Sequence, residues 1–343
     1  MFLHPRLIRA GLALAASLLA AACTTTPPQS TALLFGPYKH INMGLDAQHK
    51  RISGLQNGQS VALTQGASHI LPPGVNALSL AFASGECGQE NWGGVPATAL
   101  ADANLKGLVQ ARLPYIISTG GEGGVFTCGT DTGFAAFIQR YTTPALIGFD
   151  FDIEANQTET MIRDLVQRVK LAQQARPHLR FSFTVATFAA NDGSGASLNA
   201  TGQIVMRALQ DFGVRDYVIN LMVMNYGPAT ATNCVVRQGR CDMAASAEQA
   251  VQNLRAKYGL APSQIAVTAM LGVNDVVENV FTPQDAQQLA RFAKAQGLAG
   301  LHYWSLDRDT PCVNGATAVS PACSSLNAVP AQAYLQAFLA GLQ

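Results

Sequence analysis

Gly148-Phe149-Asp150-Phe151-Asp152-Ile153-Glu154 alternates acidic and apolar side chains along its length. Successive side chains of a strand point to opposite faces. Asp150, Asp152 and Glu154 therefore share one face, and Phe149, Phe151 and Ile153 the other. The apolar face calls for helices to cover it. Along the acidic face each step is about 6.6 Å, so the three carboxylates form a rising column. Burying three anions so close together is costly. Relief comes from a shared proton, from hydrogen bonds or from a metal. A carboxyl with raised proton affinity can serve as a general acid near neutral pH.

Working outward, seven other short apolar runs accompany the one at Ala145–Glu154: Leu33–Tyr38, Ala77–Ala83, Leu113–Ser118, Arg180–Thr187, Tyr217–Met224, Ile265–Leu271 and Gly300–Leu306. Helical patterns lie between most of them. Met161, Ile162, Leu165, Val166 and Val169 form one apolar stripe at helical spacing. Others are expected over Ala244–Lys257, over Pro283–Gln296 behind the N-cap candidate Thr282, and from Pro330 to the C-terminus. Alternating strands and helices imply a parallel sheet, and eight such units in one domain predict an α/β fold of the (β/α)8 TIM-barrel type. An open doubly wound sheet is the alternative. It would want a glycine-rich phosphate loop after the first strand, which Phe35-Gly36-Pro37-Tyr38 is not. One helix separates the seventh and eighth runs, so no α+β insertion is expected there. In a barrel, chemistry gathers at the C-terminal ends of the strands.

The 343 residues carry a formal net charge of +1, with 13% charged and 48% hydrophobic residues. This is the composition of a core-rich globule without the basic field that binding a nucleic acid requires. Residues 1–22 read as a bacterial export signal, with Arg6 and Arg9 before the apolar run Gly11–Ala22. Cys23 follows Leu19-Ala20-Ala21-Ala22, which is similar to the lipobox of bacterial lipoproteins with Ala20 where Leu is preferred. The resemblance implies lipidation of Cys23; the other reading is a soluble secreted protein cut nearby. Residues 23–31 form a Thr/Pro-rich tether, and residues 32–343 one catalytic domain. An outer-membrane or cell-surface lipoprotein is the expectation, with a periplasmic or secreted protein as the other outcome. Contact with the membrane would run through the N-terminal lipid alone.

Apart from Cys23, six cysteines remain. In an exported chain they are expected to pair, Cys234–Cys241 and Cys312–Cys323 by closeness, leaving Cys87–Cys128. There is no CxxC spacing, and His40, His49, His69, His178 and His302 show no ligand spacing. No metal and no cofactor are expected.

Gly148-x-Asp150-x-Asp152-x-Glu154 resembles the DGxDxDxE signature of family-18 glycoside hydrolases, the chitinase family, with Ile147 in place of the first Asp. Ser118-Thr119-Gly120-Gly121 resembles the family's SxGG motif. Met222-Val223-Met224-Asn225-Tyr226-Gly227 is similar to its MxMDYG segment, with Asn225 for Asp. Thr268–Asp275 is similar to TPMIGxND, and His302–Asp309 to the WSLxRD segment of the last strand. The match runs from Phe35 to Cys312. It implies a chitinase that cleaves β-1,4 linkages between N-acetylglucosamine units with retention, assisted by the substrate's own acetamido group. Glu154 would be the general acid and base. Asp152 would orient the acetamido group, and Asp150 would share a proton or hydrogen bond with Asp152. Endo-β-N-acetylglucosaminidase action on N-glycans and a non-catalytic carbohydrate-binding role are the alternatives on the same fold.

Six further residues are substrate-binding candidates. Trp304 would be the aromatic floor under the reacting sugar, against a core role. Tyr38 ends the first run. Trp92 is either a sugar subsite or a loop anchor. Asn225 and Tyr226 admit two registers for the acetamido contact, and Met222 shares the face of Tyr226 by alternation or belongs to the core. The partner is expected to be chitin or a chitooligosaccharide in an open, shallow cleft, and the protein a monomer.

Overall fold

The computed structural model describes residues 1–2, 33–56, 59–154, 156–313, 315 and 318–343. Cys23, the tether and nearly all of the export signal lie outside these residues. Eight strands close into a parallel barrel: β1 (Leu34–His40), β2 (Leu78–Ala83), β3 (Tyr115–Gly120), β4 (Leu146–Asp152), β5 (Arg180–Ala186), β6 (Val218–Met222), β7 (Ile265–Met270) and β8 (Gly300–Trp304). They run around the barrel in sequence order, with β1 closing onto β8. Each falls on one of the eight apolar runs, so the (β/α)8 expectation holds.

Among the described residues, seven α-helices accompany the strands: α1 (Ala97–Gln110), α2 (Asp131–Tyr141), α3 (Glu159–Ala175), α4 (Ala200–Phe212), α5 (Met243–Tyr258), α6 (Pro283–Gln296) and α7 (Ala333–Leu342). Sequence explains their ends. The Thr158 hydroxyl accepts from Met161 N–H at the start of α3, and Thr282 with Asp285 forms a capping box on α6. The stripe Ile162, Leu165, Val166, Val169 and Ala172 buries one face of α3. Each large aliphatic there contributes roughly 1.5–3 kcal/mol of burial. The β1–β2 connection departs from the repeat. Among its described residues it holds short hairpins, Ser53–Gln56 with Gln59–Ala62 and Thr64–Gln65 with Ser68–His69, and no helix. Between β7 and β8 lie only a two-stranded hairpin and α6.

The two faces of β4 meet different surroundings, as alternation predicts. Phe149 and Phe151 point outward and join Phe134 and Phe137 of α2 and Phe181 and Phe183 of β5 in one aromatic layer. On the other face, register places Asp150 beside Ser118 and Ser182, and Asp152 beside Gly120 and Thr184.

Candidate active site

Asp150 is 2% exposed, and four hydroxyls surround its carboxylate. Tyr38 and Ser118 donate to Oδ2 at 2.9 and 2.8 Å, and Ser182 and Thr184 to Oδ1 at 2.7 and 2.8 Å. Asn220 extends the belt. Its Nδ2 lies 2.8–2.9 Å from the hydroxyls of Tyr38, Thr184 and Thr268; its two hydrogens serve Tyr38 and Thr184, and its Oδ1 accepts from Thr268 at 3.0 Å. Burial holds the Asp150 carboxyl above the usual range against the opposing pull of the four hydroxyls.

Asp152, one step up, is equally enclosed at 5% exposure but poorly served: its Oδ1 has no hydrogen-bond partner. Burial, then the charges of Glu154 and Asp150, push its carboxyl well above the ordinary range. Glu154 lies just past the end of β4, half-buried. Burial and the carboxylates of Glu122 and Asp275 push it up to about 7. The column thus runs from a fully hydrogen-bonded carboxyl at its base to one poised to hold a proton near neutrality at its top.

The glycines after β3 belong to this arrangement. Gly120 and Gly121 have φ of +83° and +78°, a region that side chains disfavour. A Cβ on Gly120 would stand 2.1 Å from the carbonyl oxygen of Asp152, and one on Gly121 would enter the Phe82 ring at 2.6 Å. Phe82 in turn stacks on Trp304 with centroids 5.4 Å apart and planes 16° apart. Trp304 ends β8 half-buried, with its ring 6.2 Å from that of Tyr38, the donor to Asp150. The structure therefore brings Trp304 beside the column.

Other candidates land elsewhere. Trp92 is fully buried, and its Nε1–H donates to Tyr141 Oη of α2 at 2.8 Å. That corrects the sugar-subsite reading in favour of the loop anchor. Tyr141 also donates to Glu90, which pairs with Arg140, so buried polar partners hold the indole inward. Tyr38 is 2% exposed with its hydroxyl committed to Asp150, which corrects its placement among substrate contacts. Alternation does not carry past β6, because the strand ends at Met222 and Asn225 has φ of +53°. Met222 is half-buried. Asn225 is exposed; its Nδ2 donates to Asp275 Oδ2 at 2.9 Å and its Oδ1 accepts from Val276 N–H at 3.0 Å. Tyr226 turns into the core, its hydroxyl buried without a partner and pushed up by burial.

Neither Glu122 nor Asp275 is assigned a role by the sequence: Glu122 directly follows Ser118–Gly121, and Asp275 ends Thr268–Asp275. Their nearness to Glu154 arises only on barrel closure. The three disulfides form as expected, with Cα–Cα separations of 4.9, 5.6 and 5.1 Å for Cys87–Cys128, Cys234–Cys241 and Cys312–Cys323. A cavity of about 100 Å³ lined by Leu55, Tyr303, Asp309 and Leu335 touches none of the column carboxylates.

The catalytic domain of a hyperthermophilic chitinase from Pyrococcus furiosus superposes with a TM-score of 0.65 at 24% identity, over 90% of this chain and 94% of that one. This is the fold of a chitinase catalytic domain. Catalytic-site mutants of active domain 2 of the Pyrococcus furiosus chitinase, complexed with chito-oligosaccharides, match equally well. In sequence, the probable bifunctional chitinase/lysozyme of Escherichia coli K12 is 30% identical over 150 residues. That stretch is 40% of this chain and 16% of the Escherichia coli protein, so the match spans a small part of that relative's length. No protein-family model matches the chain. The resemblance to chitinases therefore rests on the barrel fold and on this partial sequence match.

Proposed function

We propose that the protein is a family-18 glycoside hydrolase that cleaves β-1,4 linkages between N-acetylglucosamine units with retention. The observation that carries this reading is the gradient along β4. Glu154 is held near pH 7 above an Asp152 oxygen that has no partner in the protein. The Glu154 carboxyl protonates the glycosidic oxygen as its bond to the anomeric carbon breaks. The carbonyl oxygen of the substrate's 2-acetamido group attacks that carbon from the opposite face. Asp152 Oδ1 accepts the acetamido N–H and offsets the positive charge that develops. Water then adds to the anomeric carbon as its bond to the acetamido oxygen breaks and the acetamido group is restored, and Glu154, now a carboxylate, takes the water's proton. Trp304 packs against the apolar face of the reacting sugar. Asn225 orders the mouth through Asp275. Three disulfides support export to an oxidising compartment, with Cys23 as the lipid-bearing residue and residues 32–343 as the catalytic unit.

The test is hydrolysis of chitotetraose and chitohexaose by the purified chain beside its Glu154→Gln variant. Cleavage by the wild type is expected, with the rate falling as pH rises through about 7 because the acid form of Glu154 is then lost. The variant should lose at least about 10³-fold in kcat. Cleavage of neither substrate by the wild type overturns the reading and favours N-glycans, then a binding role.

A further inference from the structure

On the outer side of β1 lies a buried ion pair that the proposed reaction does not use. Lys39 stands between Tyr38 and His40, so alternation turns it away from the lumen. Its Nζ meets Asp307 Oδ2 at 2.6 Å, and both side chains are 0% exposed. Asp307 lies in the single 3-10 turn Leu306–Arg308, shortly beyond Trp304. The other hydrogens of Nζ go to the carbonyl oxygens of His40 and Met43, at 2.9 and 2.6 Å. Asp307 Oδ1 accepts from Leu55 N–H at 2.9 Å. The pair therefore joins three pieces of chain: the turn that leaves β1, the first hairpin of the β1–β2 connection and the turn that leaves β8. Burial pushes Lys39 down and Asp307 up, and each opposes the other's loss of charge.

A buried ion pair is a poor source of stability, because apolar residues of similar volume often serve as well. What this one supplies is placement, and both of its ends lead to the indole of Trp304. From β1, the His40 ring lies 5.5 Å from that of Trp304, with planes 35° apart. His40 Nδ1 is buried without a hydrogen-bond partner, so the ring leans on packing and on its backbone, which Lys39 grips at the His40 carbonyl. From β8, Asp307 fixes the turn that follows Trp304, closed by Arg308 N–H donating to the Ser305 carbonyl at 3.0 Å. The Leu55 bond sets the first hairpin against the same turn: a Cβ on Gly54 would stand 3.5 Å from Leu306 Cδ2 and 4.0 Å from Asp307 Oδ1. We propose that Lys39 is a positioning residue for Trp304: paired with Asp307 outside the barrel wall, it holds the indole in the orientation that receives the apolar face of the reacting sugar. The inference deepens the hydrolase reading and rests on it for the identity of that sugar.

The chain has two tryptophans, so Trp92→Phe leaves Trp304 as the sole fluorescent indole. In that background the test compares Lys39→Met with the neutral pair Lys39→Met/Asp307→Asn, all as the full chain. In the neutral pair the asparagine oxygen can still accept from Leu55 N–H. Acrylamide quenching of Trp304 should change about twofold or more in both, because the indole loses its fixed neighbours. On chitohexaose, KM should rise about five- to tenfold with kcat within about threefold, because stacking is made in the ground state as well as in the transition state. With Trp304→Ala in place, introducing the neutral pair should cost less than about twofold in kcat/KM, because the ring it places is gone. Unchanged quenching in a folded variant overturns the proposal, as does an equal loss of kcat/KM with and without Trp304. If Lys39→Met does not fold, because it leaves Asp307 buried and unpaired, the neutral pair decides. If neither folds, the pair serves folding alone and the proposal falls. If the wild type cleaves no chito-oligosaccharide, the hydrolase reading falls, and the quenching still decides whether Lys39 places the indole.

Discussion

Asp150 and Asp152 stand two residues apart on one strand, equally buried, yet the protein treats them oppositely. The lower carboxylate receives four hydroxyls from three strands; the upper one keeps an oxygen with no partner. A buried acceptor that is fully hydrogen-bonded is fixed in place. One left bare is costly in the free protein and available to a ligand. The lower half of the column is therefore scaffold, and the upper half is the part left open for chemistry.

Substitutions at the two levels of the column should have unequal effects. Next to the loss of about 10³-fold or more in Glu154→Gln, the largest effect on kcat should come from Asp152→Asn, which keeps the shape but loses the carboxyl that faces the acetamido group. A fall of about 10²–10³-fold in kcat, with the fold intact by circular dichroism, is expected. Glu154→Gln should stabilise the protein at neutral pH. The folded state holds the Glu154 proton more tightly than the unfolded chain, so its contribution to stability falls as pH rises from about 4.5 to about 7 and is flat beyond. The variant escapes that loss. Its Tm should exceed wild type by a few degrees at pH 8, and the gap should shrink toward pH 4.5. Ser182→Ala removes one of the four donors from Asp150 and should cost about 1–3 kcal/mol in urea unfolding. Smallest of all, Trp92→Phe deletes the bond to Tyr141, costing about 1 kcal/mol and leaving kcat unchanged. An altered chain-length preference in that variant would restore Trp92 to the substrate.

The same contrast accounts for what was legible in the chain. The column could be read because three acids and three apolar residues alternate without interruption, and period two allows one placement of each. The barrel followed because eight apolar runs recur with helical patterns between most of them. The β1–β2 hairpins were not legible, being short and weakly patterned. Trp92 stayed open between two roles because a loop after a strand suggests the mouth, whereas Tyr141, 49 residues away in sequence, draws it inward and is itself held by Glu90. Glu122 and Asp275 act on the column only through closure of the barrel. Their signals were slight: an acid after a glycine turn and an acid ending a matched segment. Strand alternation failed at Asn225, where a left-handed residue ends the pattern.

The hydroxyl and amide belt around Asp150 has a further consequence for anyone moving this site to another barrel. Tyr38, Ser118, Asp150, Ser182, Thr184, Asn220 and Thr268 come from six strands, and most of them spend their polar groups on one another. Grafting the β4 acids alone would deliver a carboxylate into a lumen with nothing to receive it. The smallest transferable unit is a ring of the barrel one layer thick, and the four-residue signature is only the segment of it that happens to be contiguous.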